Sequence, residues 1–286
     1  MKPADISTKI FLDSGDPKET EAVKSVLGWL DGQTTNPTLL ARNPAVQQMA
    51  ERQALSEAEL EDAYRQIIES INKLIPGGDI SIEVYADAFT PAEQMAEQGR
   101  RFAKWADNPY IKLPITSAGI EAAQQLLQDG IKVNMTLCFS QEQAAAVYTA
   151  TVGLPGGNIF ISPFVGRLDD RGVDGLSLVF NIQKMLKGTD GHLQVLAASI
   201  RSVEHLSALL EAQVDAVTVP AKVLLEWDKA GRPIGIARRN ANLTPLPYQE
   251  FDLSSEWKSF NINHSLTDIG LEKFAADWQS LIVAKN

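Results

Sequence analysis

Tyr110-Ile111-Lys112-Leu113-Pro114-Ile115-Thr116 places a lysine where a short apolar strand has no use for one. Alternation sends Ile111, Leu113 and Ile115 to one face and Tyr110, Lys112, Pro114 and Thr116 to the other. If the apolar face meets a layer of helices, Lys112 points into the opposite interior, where an ammonium is poorly solvated. Burial of that kind lowers a lysine pKa and frees the amine to attack carbonyls. The competing reading is an edge strand whose lysine stem covers apolar surface while its head reaches water. The flanking sequence decides between them.

Upstream, Ile80-Ser81-Ile82-Glu83-Val84-Tyr85 alternates in the same way and makes Glu83 an inward carboxylate. Lys9-Ile10-Phe11-Leu12-Asp13 reads as the first strand, and Asp16, Pro17 and Glu19 announce a helix after it. A second short strand begins at Gly32 and ends in a turn, because Asn36 precedes Pro37 and is forced extended. A long helical region follows, with starts at Pro44 and at the Ser56-x-x-Glu59 capping box, and stops at Pro76-Gly77-Gly78. Thr90-Pro91 is expected to open the next helix in the same capped manner. Downstream, Gly130 closes the helix after the lysine strand. Lys132 to Leu137 is a fifth strand, followed by a Ser140-x-x-Gln143 cap. Asn158 to Pro163, Gln194 to Ser199 and Ala216 to Val219 are the sixth to eighth.

Eight strands, each followed by helical pattern, predict an α/β chain folded as a single (β/α)₈ TIM barrel. The polar residues share one parity on strand after strand, as a barrel interior requires. No Gly-x-Gly-x-x-Gly follows a strand, which weighs against a doubly wound sheet. One barrel domain is expected over 1–286, with 245–286 as a C-terminal helical extension. Leu271, Phe274, Trp278, Leu281 and Ile282 recur there at helical spacing, so the extension should pack onto the barrel, and its role as a cover for the barrel mouth is a hypothesis.

The chain has 286 residues, 44% of them hydrophobic, enough for one large core. Lys and Arg number 26 against 36 Asp and Glu, a net charge of −10, which argues against a nucleic-acid surface or a polybasic membrane patch. Any bound anion must be held by a local pocket. The one cysteine, Cys138, excludes an internal disulfide framework and reads as a packed core thiol. His192, His205 and His264 lack metal-ligand spacing, so no metal and no cofactor is expected. The N-terminus has no signal-peptide pattern and no segment approaches the ~18 apolar residues of a membrane span, so a cytoplasmic protein is expected.

Catalysis in such barrels sits at the carboxyl ends of the strands. The residues falling there are Asp13, Asn36, Glu83, Lys112, Asn134, Thr136, Ser162, Arg167, Ser199 and Arg201. An amine, a proton shuttle and an anion clamp are what imine chemistry on an anionic sugar requires. Lys112 would form a Schiff base with a ketose carbonyl, and the cationic nitrogen would draw in the electrons of a breaking carbon–carbon bond. Glu83, through a water held by Thr136, would move protons during dehydration, and Asp13 would take the proton of the hydroxyl that becomes the departing aldehyde. Arg167 and Arg201, with Ser199, have the charge and fork geometry to hold a phosphate. Each has a plainer role to weigh. Asp13 can cap a helix, Asn36 can stabilise a turn, and Arg167 beside Asp169 and Asp170 can form a surface ion pair. The strongest competitor is a purely structural Lys112–Glu83 pair.

Seven motifs fall in one family's order: Leu12-Asp13-Ser14, Thr34-Thr35-Asn36-Pro37-Thr38-Leu39-Leu40, Ile82-Glu83-Val84, Ile111-Lys112-Leu113-Pro114 with Gly119-Ile120, Asn134-Met135-Thr136-Leu137, Ile161-Ser162-Pro163-Phe164-Val165-Gly166-Arg167 and Ala198-Ser199-Ile200-Arg201. Over nearly its whole length the chain resembles the transaldolase family. The resemblance implies that Lys112 is the Schiff-base lysine, Asp13 the general acid/base, and Glu83 with Thr136 the holders of the catalytic water. It assigns Asn36 and Asn134 to a bound dihydroxyacetone unit, with Ser162 and Phe164 also counted among the substrate contacts, and Ser199, Arg167 and Arg201 to the phosphate. The fructose-6-phosphate aldolases of the family are typically shorter and carry tyrosine where this chain has Phe164, so a transaldolase is the closer resemblance. Pro114-Ile115-Thr116 after the lysine, and Ile200 where an aromatic is common, depart from the best-known members.

The expected activity is transfer of a dihydroxyacetone unit from a ketose phosphate to an aldose phosphate in the pentose phosphate pathway, without a bound cofactor. An aldolase, or a transaldolase of a specialised sugar pathway, is the alternative enzyme. A silent sugar-phosphate-binding barrel is the non-enzyme alternative, and the intact Asp13, Glu83 and Lys112 argue against it. The expected partners are small-molecule sugar phosphates, with no nucleic acid and no membrane, and a homo-oligomer is left open.

Overall fold

The alternating segments pair in parallel and close on themselves. In the computed structural model, which describes residues 2–157, 159–235 and 242–282, the barrel strands are β1 (Lys9–Asp13), β2 (Gly32–Thr34), β3 (Asp79–Glu83), β4 (Pro109–Pro114), β5 (Val133–Cys138) and β6 (Ile159–Pro163). A two-residue strand outside the barrel, β7 (Val173–Asp174), precedes the last two staves, β8 (Leu193–Ala197) and β9 (Ala216–Val219). The order β1-β2-β3-β4-β5-β6-β8-β9 is closed by pairing of β9 with β1, so the chain folds as the expected (β/α)₈ barrel. Asn158, expected to open the sixth strand, lies outside the described residues.

Inward-facing residues form two layers one pleat apart. Phe11, Tyr110, Phe160, Leu196 and Ala216 make an apolar plug, in which the Phe160 ring meets Phe11 at 5.6 Å and Tyr110 at 4.6 Å. Two residues further along the same five strands or their continuations stand Asp13, Lys112, Ser162, Ala198 and Thr218, all lining one cavity. The period of two thus seals the amino-terminal end of the barrel and turns a polar layer toward the carboxyl end. The outward residues Ile80, Ile82, Ile111, Leu113, Val133 and Met135 join the main core under the helices.

Around the barrel run α1 (Pro17–Leu27), α2 (Pro37–Arg42), α3 (Pro44–Arg52), α4 (Glu57–Leu74), α5 (Ala92–Phe102), α6 (Ser117–Gln128), α7 (Gln141–Thr151), α8 (Val165–Asp169), α9 (Gly175–Leu186), α10 (Val203–Glu211) and α11 (Ala221–Lys229). The capping boxes Ser56–Glu59 and Ser140–Gln143 are formed as expected, and Gly130 takes φ 76° just past α6. The long helical region is three helices, because Asn36 and Asn43 each cap a new start. Two caps differ from expectation. Asp16 caps α1, but Glu19 accepts from the Ser14 hydroxyl instead of returning to the cap. Thr90 does not cap α5; its hydroxyl donates to Asp87 Oδ1 at 2.7 Å, and the helix starts at Ala92 without a side-chain cap.

A short strand β10 (Thr244–Pro245) pairs with β7, and the last helix, α12 (Ser265–Ile282), packs on α2, α3, α4 and β5. Its buried residues Thr267, Gly270, Leu271, Phe274, Trp278 and Leu281 share one face. The register of β5 against β6 shifts between Met135 and Cys138, and Leu137 takes φ 61°. Thr267 of α12 donates to the Leu137 carbonyl at 2.9 Å, so the helix is tied to the strand at its irregular point. Among the described residues no helix is long and apolar enough to cross a membrane.

Candidate active site

The polar layer opens into a cavity of about 220 Å³ at the carboxyl ends of the strands. Lys112, which is 4% exposed, reaches into it from β4. Its Nζ lies 2.8 Å from Glu83 Oε2 and donates to the Thr35 carbonyl at 3.3 Å. Strand register sets the pair, since Glu83 is the direct neighbour of Lys112 across β3 and β4. The contact is a buried ion pair, and among the described residues Glu83 Oε2 has no other partner. Burial raises the Glu83 carboxyl above its ordinary pKa, with the Lys112 charge pulling the other way. The sequence-level competitor, a Lys112–Glu83 pair, is therefore present, but it sits at a cavity and not in a sealed core.

Asp13, at the end of β1, lines the same cavity. The Thr34 hydroxyl donates to Asp13 Oδ1 at 2.9 Å and stands 2.6 Å from the Thr218 hydroxyl. Thr34 has one hydrogen, spent on Asp13, so Thr218 is the donor of the second bond. Desolvation raises the Asp13 pKa, opposed first by Lys112 and then by the Thr34 bond. The capping role considered for Asp13 falls instead to Asp16.

The remaining residues divide. Asn36, Ser162, Phe164, Arg167 and Ser199 line the cavity. Asn36 also caps α2 through the Leu39 N–H at 2.9 Å, so its turn-forming role holds as well. Asn134 and Thr136 are wholly buried on β5 and do not line the cavity, although Asn134 is the direct neighbour of Lys112 across β4 and β5. Asn134 accepts from Ser162 Oγ at 2.7 Å and donates to Ser81 Oγ at 3.0 Å, while Thr136 Oγ1 has no hydrogen-bond partner among the described residues. Ser199 follows β8 in a left-handed conformation, φ 59°.

The two arginines have different environments. Arg167 lies between the rings of Phe164 and Phe274, 5.0 and 5.4 Å from their centroids. Burial lowers its pKa, opposed by the charge of Glu83. Arg201 is exposed and makes a bidentate pair with Asp170 at 2.5 and 2.7 Å, outside the cavity wall. The surface ion pair considered for Arg167 belongs to Arg201.

Sequence reading missed Thr34 and Thr218, although their strand parity would have found them. It also missed Arg42 from α2 and Lys273 from α12, which line the cavity rim, and Gly270, whose bare Cα faces Arg167: a Cβ there would stand 2.6 Å from Arg167 Nη1. These come from helices packed over the mouth, and no strand pattern locates them. Among the described residues no cluster of three or more His, Cys, Asp or Glu is arranged to hold a metal.

The description "Transaldolase/Fructose-6-phosphate aldolase" matches residues 10–284. A probable transaldolase of Dehalococcoides mccartyi is 34% identical over 273 residues, covering 96% of this chain and 99% of its own. Probable transaldolases of Brucella anthropi and Roseiflexus castenholzii are 36% and 33% identical over 272 residues, covering 94% and 95% of this chain and 96% and 97% of theirs. With a match that runs almost from end to end, the chain belongs to the transaldolase/fructose-6-phosphate aldolase family.

Proposed function

We propose that the protein is a transaldolase of the cytoplasmic pentose phosphate pathway. It transfers dihydroxyacetone from sedoheptulose 7-phosphate or fructose 6-phosphate to glyceraldehyde 3-phosphate or erythrose 4-phosphate. The observation that carries this reading is the Lys112 amine, 2.8 Å from the Glu83 carboxylate in a cavity shared with Asp13 and Arg167. In this reading residues 1–286 act as one barrel unit, and the extension 245–286 supplies Phe274 and Lys273 to the mouth.

The Lys112 amine, after passing a proton to Glu83, adds to the C2 carbonyl of the ketose. The carbinolamine loses water as Glu83 returns a proton, with Thr136 Oγ1 free to hold that water. Asp13 then takes the proton of the C4 hydroxyl, the C3–C4 bond breaks, and its electron pair moves onto the iminium. The aldose phosphate leaves and an enamine stays on Lys112. Attack of the enamine on an acceptor aldehyde, with Asp13 returning its proton, makes the new ketose, and water hydrolyses the iminium. Carboxyls raised by burial exchange protons nearer neutral pH, which supports these roles. Arg167 would pair with the phosphate, and Asn36, Asn134 and Ser162 with the three-carbon unit.

Release of free dihydroxyacetone is the second reading, and Phe164 disfavours it. Its ring stacks on Arg167 and offers no hydroxyl to a hydrolytic water. Trapping with fructose 6-phosphate and borohydride, read by peptide mass, should place a three-carbon adduct on Lys112; an adduct elsewhere, or none, removes the mechanism. Turnover without an acceptor, liberating dihydroxyacetone, decides for the aldolase.

A further inference from the structure

We propose that Tyr64, on α4 behind the barrel wall, is a positioning residue for the Lys112–Glu83 pair, holding through its hydroxyl the two backbone points on which that pair depends. The inference rests on the Schiff-base reading above.

The amides of Ile80 and Val84 donate toward β4, to the carbonyls of Asn108 at 3.0 Å and Lys112 at 3.2 Å. By alternation the amide of Glu83 points the other way, toward β2. That strand has ended at Thr34, and the chain turns into α2 at Asn36-Pro37. The Thr35 N–H still bonds the Ser81 carbonyl at 3.0 Å, but the Thr35 carbonyl that would make the next rung accepts from Lys112 Nζ, and the Glu83 N–H donates instead to the Tyr64 hydroxyl at 3.2 Å. The phenol therefore substitutes for a missing rung at the residue that carries the carboxylate.

The same oxygen reaches the lysine side. Tyr64 Oη is 2.5 Å from Thr35 Oγ1, and Thr35 Oγ1 donates to the Ser81 carbonyl at 2.9 Å. Thr35 has one hydroxyl hydrogen, already spent, so Tyr64 is the donor to it. The Thr35 carbonyl in turn accepts from Lys112 Nζ at 3.3 Å. One phenol thus fixes both the backbone of Glu83 and the residue that orients the amine. Burial pushes the phenol pKa up, so it remains a donor. Its ring is clamped by Phe102, Trp105 and Trp278 at centroid distances of 5.8, 5.7 and 6.2 Å, and the last of these lies on α12.

The test compares Tyr64→Phe with Phe102→Leu, which loosens the same ring cluster and keeps the hydroxyl. Both are followed by borohydride trapping with fructose 6-phosphate and by steady-state kinetics well below their melting temperatures. Tyr64→Phe should reach full labelling of Lys112 at long times but label and turn over roughly tenfold more slowly, with KM within about twofold, as expected for reacting groups shifted by less than 1 Å. Phe102→Leu should label at the unmutated rate. Equal rates for Tyr64→Phe and the unmutated protein, or an equal slowing in both variants, overturns the inference. If Tyr64→Phe does not fold, Thr35→Val, which removes the acceptor of the Tyr64 bond, must slow labelling in the same way, and a normal rate there overturns it. Absence of any label on Lys112 in the unmutated protein removes the Schiff-base reading itself, and this inference with it.

Discussion

At the scale of single residues, the two arginines and the Asp13 relay give the sharpest expectations. Among the described residues Arg167 has ring partners and no carboxylate within ion-pair distance, whereas Arg201 is already committed to Asp170. A hydrogen bond to a charged group contributes about 1.5–3 kcal/mol, so Arg167→Ala should lower kcat/KM for a phosphorylated donor by roughly 10- to 100-fold. Arg201→Ala should cost less, because its gain on binding is offset by the Asp170 contact it gives up. Kinetics with phosphorylated and uncharged donors check this, and a larger loss for Arg201→Ala means that the Asp170 pair opens in the complex. For Asp13 the sign follows from its surroundings. Burial raises its pKa and the Thr34 bond lowers it, so Thr34→Val removes a pull toward the ionised form and must raise it further. With Asp13 as the proposed base of bond cleavage, the acid limb of the kcat/KM–pH profile should move to higher pH; a limb that stays or falls assigns that titration to another group.

At the scale of elements, α12 decides the shape of the mouth. It brings Phe274 over Lys112 and Arg167, with centroid distances of 6.0 and 5.4 Å, and places Gly270 where a side chain would meet both Arg167 and Leu137. For Gly270→Ala two stability effects oppose each other. Overpacking costs about 1–3 kcal/mol, and alanine in a helix interior regains up to about 1 kcal/mol over glycine. The clash falls on the movable ends of Arg167 and Leu137, so the overpacking term should be near its lower limit. We therefore expect a melting temperature lowered by only a few degrees, and a clear rise in KM for phosphorylated donors as the guanidinium is displaced. A large fall in melting temperature with unchanged KM would show that Leu137, not Arg167, takes the strain.

At the scale of the whole molecule, a chain of net charge −10 gathers Arg42, Lys112, Arg167 and Lys273 at one cavity, where Asp13 also lies and where Lys112 and Lys273 are paired with Glu83 and Asp277, so the excess positive charge comes from Arg42 and Arg167. An anionic substrate must approach an acidic body through a local positive mouth, and salt at 0.15 M screens such fields beyond about 8 Å. Adding salt should therefore lower kcat/KM for a phosphorylated donor and leave an uncharged ketose nearly unaffected; parallel salt effects on both would place the dependence on the protein's own stability.

How much of this was written in the chain differs by level. Period-two alternation is a local property, so it marked the barrel strands and the inward parity of Asp13, Glu83 and Lys112, while the count of eight strand–helix units pointed to closure. The capping boxes at Ser56 and Ser140 were legible for the same reason, since every partner lies within four residues. What the tertiary structure alone decided is which partner each polar group finds across the barrel. Arg201 and Arg167 look equivalent in sequence, yet Gly166 and Asp170 lead one guanidinium to the surface while Phe164 and Phe274 hold the other at the cavity. Arg42, Lys273, Gly270 and Tyr64 reach the site, or the residues that position it, from helices whose own periodicity records only which face is buried. Their place depends on helix-on-barrel packing between residues far apart in the chain, and a one-dimensional pattern does not carry that.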